Sequence, residues 1–481
     1  MLQDRATVPE NKAMRWHLLG LALFSSALFL PNLGRGFIHD DFVWLHDAAY
    51  QPGGYGLSHP AGGPFYSPLG LLTFRAGWAV WGLHAFPYGA ENLLLHIANT
   101  FLLYWMVFLL WRSAAAGWWA AFGFALLFPA NIWAVMWIAT RSHLLATLFY
   151  LAALCATIWF VRDARRRLLA GIVIIVLAAA SMFSKESGVT VALAIPVMIW
   201  YEQRHWSERV PWRVVTPLMT ALLAVVAVYL TLRAQSGAVA ILSKNHPWYQ
   251  YALSGGVLVE NLLRYAWRTY GLQCLLGGAL VISVWIRGAR PCLDGVTRHE
   301  VALSGLLFLA ALAPVVLIRG RSGIYSYLPA IGASILLGAL ARSLYAAQHE
   351  ARRRWLSRVP VLVLTAVYAT FTVGQSMKWR YMAETNQAVL QQISAQLPQP
   401  AAGTSVVLRY AEADEKWLFP NGFATWGFSP ALQLHYADPT LGGAIVAQGE
   451  SPPSHGGAAA AEFFYVGGPA GPEVVAAPRA K

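Results

Sequence analysis

Charge is what this chain lacks most. Only 12% of its 481 residues are Asp, Glu, Lys or Arg, whereas 57% are hydrophobic. An ordinary soluble domain carries about 25% charged residues. Mean hydropathy is +0.48, and so little charge cannot solvate a globular surface of this size. Cysteine is scarce too. Of the three, Cys155 and Cys274 lie in apolar runs and Cys292 in a basic loop, which leaves no disulfide framework. No His-x-x-x-His pair has a third ligand nearby, so the spacing of a zinc site is missing. No 34-residue period occurs, which excludes a tetratricopeptide array. The net charge of +13 comes from short basic clusters between apolar runs, a membrane-topology pattern that argues against a nucleic-acid partner. The N-terminal stretch has a basic flank (Arg5, Lys12, Arg15) but no small-x-small cleavage site before Pro31, so it reads as a retained first span.

What the chain has instead is apolar runs. Eleven are read as helices, at roughly 16–33, 92–111, 115–133, 143–161, 168–183, 188–201, 213–232, 266–286, 301–318, 326–345 and 359–376. Lipid leaves the backbone only helices or a closed barrel, and barrel strands would alternate in polarity. The expected fold is therefore an all-α polytopic membrane protein with about 11 transmembrane helices. The fifth and sixth runs flank Phe183-Ser184-Lys185-Glu186-Ser187-Gly188. A Lys-Glu pair in mid-bilayer would be expensive, so a turn is expected there.

Basic residues set the orientation. With the N-terminus inside, and the few basic residues within spans counted to the nearer side, cytoplasmic segments hold 19 Lys/Arg and 8 Asp/Glu. They include Arg162 to Arg167 and Arg352-Arg353-Arg354. The opposite side, before the tail, holds 10 and 6. The positive-inside rule then predicts a plasma (bacterial inner) membrane protein, N-terminus cytoplasmic and C-terminus outside. Residues 1–376 form the membrane domain. Its first outer loop, 34–91, carries His39-Asp40-Asp41, a Gly/Pro-rich stretch, and an aromatic segment, Phe65 to Phe86, suited to the interface. A second outer loop, 233–265, carries Lys244, His246, Trp248 and Tyr249. Residues 377–481 read as a small extracytoplasmic tail, with strands at Ser405–Tyr410, Ala444–Ala447 and Phe463–Val466, becoming disordered from about Ser451 apart from that last strand.

Once the helices are threaded, the polar outliers gather on one face: Asp40, Asp41, Arg141, His143, Lys185, Glu186, Arg319, Arg321 and Tyr325. Carboxylates can take a proton from an attacking hydroxyl, and cations can hold a phosphate leaving group. Each has a plainer reading. An Asp can cap a helix starting at Phe42, arginines can end helices and snorkel, and Lys185-Glu186 can be an interfacial pair. Asn92, His96 and Asn99 share one helix face and read as interhelical glue.

Six motifs occur in the order seen in the type C glycosyltransferases. They are Gly36-Phe-Ile-His-Asp-Asp-Phe42, Tyr66-Ser-Pro-Leu-Gly70, the run Trp81 to Asn99, Trp137 to Ala146, Phe183 to Gly188, and Tyr325-Ser-Tyr-Leu-Pro-Ala-Ile-Gly332. Residues 15–376 resemble the membrane part of the transmembrane and tetratricopeptide-repeat O-mannosyltransferases and their bacterial relatives. That resemblance implies transfer of a sugar from a polyprenyl-phosphate donor, on the outer face, to a protein, lipid or glycan acceptor. It maps the base to Asp40 or Asp41, beside His39. It maps the donor phosphate to Lys185 and Arg141, with Arg319 and Arg321 as candidates. No cofactor is implied, and a divalent metal at Asp40/Asp41 stays an open alternative. One base and direct displacement imply inversion. The rival reading is a flippase, carrier or inactive scaffold for lipid-linked saccharides.

Overall fold

The computed structural model describes residues 8–34, 36–205, 209–238, 250–288, 290–291, 293–346, 356–411, 423, 426–451, 460–467 and 471–477. Arg5, Lys244, His246, Trp248, Tyr249, Cys292 and Arg352–Arg354 lie outside the described residues.

The chain enters through α1 (Val8–Phe29) and lays three short helices across the first loop: α2 (Asp41–Tyr50), α3 (Tyr55–Ser58) and α4 (Pro68–Trp81). Then come α5 (Ala85–Trp111), α6 (Ala114–Ala125), α7 (Ala130–Met136), α8 (Arg141–Arg162), α9 (Arg167–Ser184), α10 (Val191–His205) and α11 (Trp212–Gln235). The bundle closes with α12 (Gly255–Ile286), α13 (Arg298–Leu312), α14 (Ala330–Ala346) and α15 (Val359–Gln396). Each of the eleven apolar runs falls on a helix, the third on the α6–α7 pair. Among the described residues, seven helices are long and apolar enough to cross a bilayer, and eight if that pair, bent by 71°, is one span. Helices α10 and α13 have 15 residues each. At 1.5 Å per residue that is about 22 Å, shorter than a hydrocarbon core of about 30 Å.

Two breaks have local causes. Between α6 and α7, Pro129 supplies no N–H, and Asn131 Nδ2 donates to the freed carbonyls of Phe124 (2.8 Å) and Ala125 (2.7 Å). Between α9 and α10, Lys185 is extended (φ −160°, ψ 147°) and a 3-10 turn follows over Glu186–Thr190. Gly188 allows this turn because a Cβ there would meet the Ser181 carbonyl oxygen at 2.2 Å. The turn expected from the cost of a mid-bilayer ion pair is present.

Helix α8 is the central post, packed on α5, α9 and α10. Its last residue, Arg162, forks onto Glu202 of α10 through Nε–Oε2 (2.6 Å) and Nη2–Oε1 (2.9 Å), and Nη1 donates to the Leu109 carbonyl. Arg342 of α14 holds Glu300 of α13 at 2.6 Å at the same end of the bundle. Among the glue residues, Asn92 donates to the carbonyls of Ala134, Trp137 and Ile138, Asn99 donates to the Leu144 carbonyl, and His96 meets Tyr327 Oη at 2.8 Å.

The tail departs from expectation twice. The boundary at 377 falls inside α15, which runs unbroken to Gln396. Its second half stays helical because Met382, Asn386, Val389 and Ile393 form a buried stripe, and Asn386 Nδ2 donates to the Phe37 carbonyl (3.0 Å). The composition change at 377 accompanies this shift in packing partners and does not end the helix. Beyond Ser451 the chain also holds a strand at Glu473–Ala476, in addition to the one expected at Phe463–Val466, while residues 452–459, 468–470 and 478–481 lie outside the described residues. A four-stranded sheet, ordered β2-β1-β3-β4, is built from β1 (Ser405–Tyr410), β2 (Gly442–Ala447), β3 (Ala460–Val466) and β4 (Glu473–Ala476). Strands β2 and β3 lie parallel to β1, and β4 is antiparallel to β3. Strand β4 is held by two glutamines of α15: Gln392 Oε1 accepts from Val474 N (2.7 Å) and Gln396 Oε1 from Ala476 N (2.8 Å). Composition alone could not reveal such long-range partners. Helix α16 (Phe428–Tyr436) joins the sheet to α2.

Glu202 is 1% exposed. Arg162→Ala would leave its carboxylate buried without a counter-charge, a change on the scale of about 3–5 kcal/mol. A marked fall in the melting temperature of the detergent-solubilised protein is expected, with Arg162→Lys intermediate. Thermal unfolding measures it.

Candidate functional site

The two adjacent carboxylates of the first loop have different jobs. Consecutive residues on a helix point about 100° apart, so one of the pair turns inward when the other does not. Asp41 turns inward: Oδ2 accepts from Ile38 N (3.0 Å) and Oδ1 from Ala139 N (2.6 Å). It is 1% exposed, and it ties the first loop to the 3-10 turn Ile138–Thr140 before α8. Burial pushes its carboxyl well above the usual range, against the pull of those two N–H groups and Arg141. Asp40 is the N-cap residue of α2, yet its side chain makes no cap bond. It accepts instead from Trp426 Nε1 of the tail. The helix-capping reading thus fails for the Asp40 side chain. Burial raises Asp40 to about 6, while the Trp426 hydrogen bond and the field of Lys185 pull it down.

Lys185 is set at the α9–α10 break. Its Nζ lies 3.2 Å from Glu186 Oε2 and 3.3 Å from the centroid of the Phe65 ring. Burial lowers its pKa, and Glu186 opposes that. Glu186 Oε1 also accepts from Tyr66 N (2.9 Å), which draws the second half of the first loop onto the break. Burial works against the Glu186 charge, but Lys185 and Arg233 outweigh it and hold the carboxyl low. Arg233, near the end of α11, was missed in the sequence. It looks there like any cation closing a helix, and only the fold brings it to Glu186. Two cations therefore share one carboxylate, and the field of one of them, Lys185, reaches Asp40. Trp426 was missed as well, since nothing in the tail's composition points to the first loop.

Other expected site residues lie elsewhere. Arg141 is 1% exposed: Nη1 ion-pairs with Glu91 (2.5 Å), Nε donates to Asn92 Oδ1 (3.2 Å), Nη2 to the Tyr88 carbonyl (3.0 Å), and its guanidinium lies over the Phe74 ring. It braces the turn that Asp41 grips, buried among partners on α5 rather than beside Lys185. Arg321 is tied to α12 through Glu260 Oε2 (2.6 Å) and Asn261 Oδ1 (2.7 Å). Arg319 is exposed, and its backbone N–H donates to the Gln250 carbonyl (3.1 Å). His143 bridges the two regions, within electrostatic reach of Lys185 and with its ring 6.4 Å from that of Tyr325. His39, in a left-handed turn (φ 47°), edges onto Trp137, and burial lowers its imidazole to about 4, so it is neutral at pH 7.

An apolar groove of about 380 Å³ runs between α4 and α9. Leu57, Leu69, Leu72, Ala180 and Phe183 line it, and Phe183 stands two residues from Lys185. Both Asp41 oxygens already accept backbone N–H groups, which leaves Asp40 as the carboxylate of the pair with an oxygen to spare. Among the described residues no group of three His, Cys, Asp or Glu converges elsewhere. The arrangement can remove a proton at Asp40 and hold an anion at Lys185 and Arg233, beside an apolar channel.

Asp41→Asn would aim an amide N–H₂ at a backbone N–H. Leaving one such group unsatisfied costs about 1–3 kcal/mol. Asp40→Asn keeps an oxygen for Trp426 and should melt close to the parent. Comparing the two melting curves checks that Asp41 is the fastener.

No protein-family model and no curated protein matches the chain. Solved structures do. The fold is similar to that of ArnT from Cupriavidus metallidurans bound to undecaprenyl phosphate, at 15% identity and TM-score 0.54, over 90% of this chain and 86% of that one. The apo state of the same protein aligns at 14% identity and TM-score 0.51, over 90% and 85%. A looser likeness, at 11% identity and TM-score 0.49, is to the archaeal oligosaccharyltransferase AglB from Archaeoglobus fulgidus. It covers 92% of this chain and 65% of that one. At such identities the likeness is one of fold.

Proposed function

We propose that this chain, which has the fold of the type C glycosyltransferases, is a membrane glycosyltransferase. It takes a sugar from a polyprenyl-phosphate donor and passes it, with inversion, to an acceptor hydroxyl on the outer face of a bacterial inner membrane. In this reading the N-terminus is cytoplasmic and the tail extracytoplasmic. The observation that carries it is Asp40: a buried carboxylate in the field of Lys185, which pairs with Glu186 two residues beyond Phe183 of the apolar groove.

The chemistry follows from these parts. The isoprenyl tail lies in the α4–α9 groove, where apolar area leaves water. Its phosphate meets Lys185, with Arg233 behind, and charge-assisted hydrogen bonds favour it more as it departs as a dianion. Asp40 accepts the acceptor's proton as the hydroxyl oxygen attacks the anomeric carbon from the side opposite the phosphate. The C–O bond to the lipid phosphate breaks as the new glycosidic bond forms. The leaving phosphate needs no proton, so one base suffices and the configuration inverts. ArnT bound to undecaprenyl phosphate supports a lipid of this class.

Loss of the general base should cut turnover by roughly 10²-fold or more in Asp40→Asn while donor binding stays near the parent value. Lys185→Ala should weaken donor binding itself. Binding of undecaprenyl phosphate and transfer of sugar, measured separately, test both. An Asp40→Asn variant that transfers at the parent rate would remove Asp40 as the base, and a parent that binds undecaprenyl phosphate but transfers no sugar would sink the enzyme reading and favour a carrier.

A pH profile gives an independent check. Asp40 is active as the anion, and its pKa is raised to about 6. Turnover should be full above that value and fall as pH drops through it, unlike a surface carboxylate, which would stay ionised down to about pH 4.

A further inference from the structure

The tail is more than an appendage to the bundle. Phe423 is fully buried and stacks on Phe42 of α2, with centroids 5.6 Å apart. Phe428, also fully buried, packs edge-on against Phe423. Tyr50 at the end of α2 donates to the Gln433 carbonyl of α16 (3.1 Å). Between these anchors stands Trp426, 59% exposed. A large apolar ring left mostly in water is a feature that asks for a partner. Its indole N–H is not free, because it donates to Asp40 Oδ1. The ring is thus fixed at one edge by the candidate base and pinned along the chain by two phenylalanines, with much of its surface open.

That geometry constrains what the site accepts. One Asp40 oxygen is occupied by the indole, which leaves the other to take a proton. A molecule presenting its hydroxyl there must lie beside the open indole. A rigid apolar ring suits a ligand with an apolar face and a hydroxyl at its edge, the build of a sugar ring whose axial C–H groups lie on one side. An extended peptide would offer its hydroxyl on a short flexible arm and gain little from the ring.

Resting on the glycosyltransferase reading, we propose that Trp426 is a positioning residue for Asp40 and the stacking platform for the acceptor, and that the acceptor is a carbohydrate. The tail then completes the acceptor site. Asp40 is faced by Lys185 from the α9–α10 break, by Trp426 from the tail, and by Asp41 and His39 on its own segment. Arg141 acts on Asp41, and Arg233 on Glu186 and Lys185.

The experiment uses the full chain in nanodiscs with a panel of undecaprenyl-phosphate-linked hexoses and pentoses. Release of undecaprenyl phosphate is followed from pH 5 to 9, alone, with methyl glycosides, and with a Ser/Thr-containing hexapeptide. Methyl glycosides should accelerate release by the parent. Trp426→Ala should raise the glycoside KM by roughly twofold to tenfold, the scale of a lost ring contact. Trp426→Phe should restore KM but keep the acid limb displaced to higher pH, because the ring returns without the N–H that stabilises the Asp40 anion. Parent-like KM and parent-like acid limb in Trp426→Ala would overturn the proposal, as would stimulation by the peptide alone. Either leaves the enzyme reading intact so long as the parent is active. If the parent releases no more undecaprenyl phosphate than protein-free nanodiscs, the enzyme reading fails and this inference with it, and if an active parent is matched by Asp40→Asn, Asp40 is not the base and Trp426 positions nothing.

Discussion

A charge near lipid needs a partner, and the structure depends on how that demand is met. Buried ionised side chains meet it in pairs, Arg141 with Glu91, Arg162 with Glu202 and Arg342 with Glu300, and at the more exposed end of α12 Glu260 takes both Arg321 and Arg264. Those pairs brace turns and helix ends, and little charge is left over for a ligand. The first-loop face is different. Lys185 and Arg233 both act on Glu186, and Asp40 is answered by an indole N–H and by the field of Lys185, with no ion pair within 4 Å among the described residues. Incomplete pairing is costly unless something else uses the charge, and that is the physical ground for placing chemistry there.

The same demand explains why two carboxylates stand side by side. A loop that must present a base in register with Lys185 has to be fastened near that base. Asp41 does the fastening, with both oxygens on backbone N–H groups from two segments. Asp40 is then held one residue from a fixed point, on the first turn of a helix. Rigid attachment of this kind keeps a reacting group within a few tenths of an ångström of its working position.

Much of this was legible in the sequence. Apolar runs gave every membrane helix its place, because a helix in lipid must be apolar for most of its length. The expense of Lys185-Glu186 gave the α9–α10 break. Asp40, Lys185 and Glu186 were visible as polar groups in unlikely places. What could not be read was which cations are engaged. Arg141 and Lys185 look alike in sequence, each a base at a helix end. Only the fold shows that Glu91, Asn92 and Tyr88 consume the former. Arg233 and Trp426 were missed for the converse reason. Their partners lie 47 and 386 positions away, and no local pattern encodes such contacts.

The tail illustrates how composition misleads at an edge. Past residue 451 the chain is rich in Gly, Pro and Ala, the usual mark of a segment unable to bury enough apolar surface. Yet Glu473–Ala476 is a strand beside the one expected at Phe463–Val466, because neither need supply a core of its own. Phe463, Tyr465 and Val474 pack into a hydrophobic cluster that also contains Phe42, Trp44, Val389, Ile393 and Phe428. That cluster joins the first loop, the far half of α15 and the sheet in one packed unit. The loop that carries Asp40 and the tail therefore share a core, and moving one displaces the other. A site assembled this way holds its geometry only when membrane domain and tail are both folded, which ties the placement of Asp40 to residues some 400 positions along the chain.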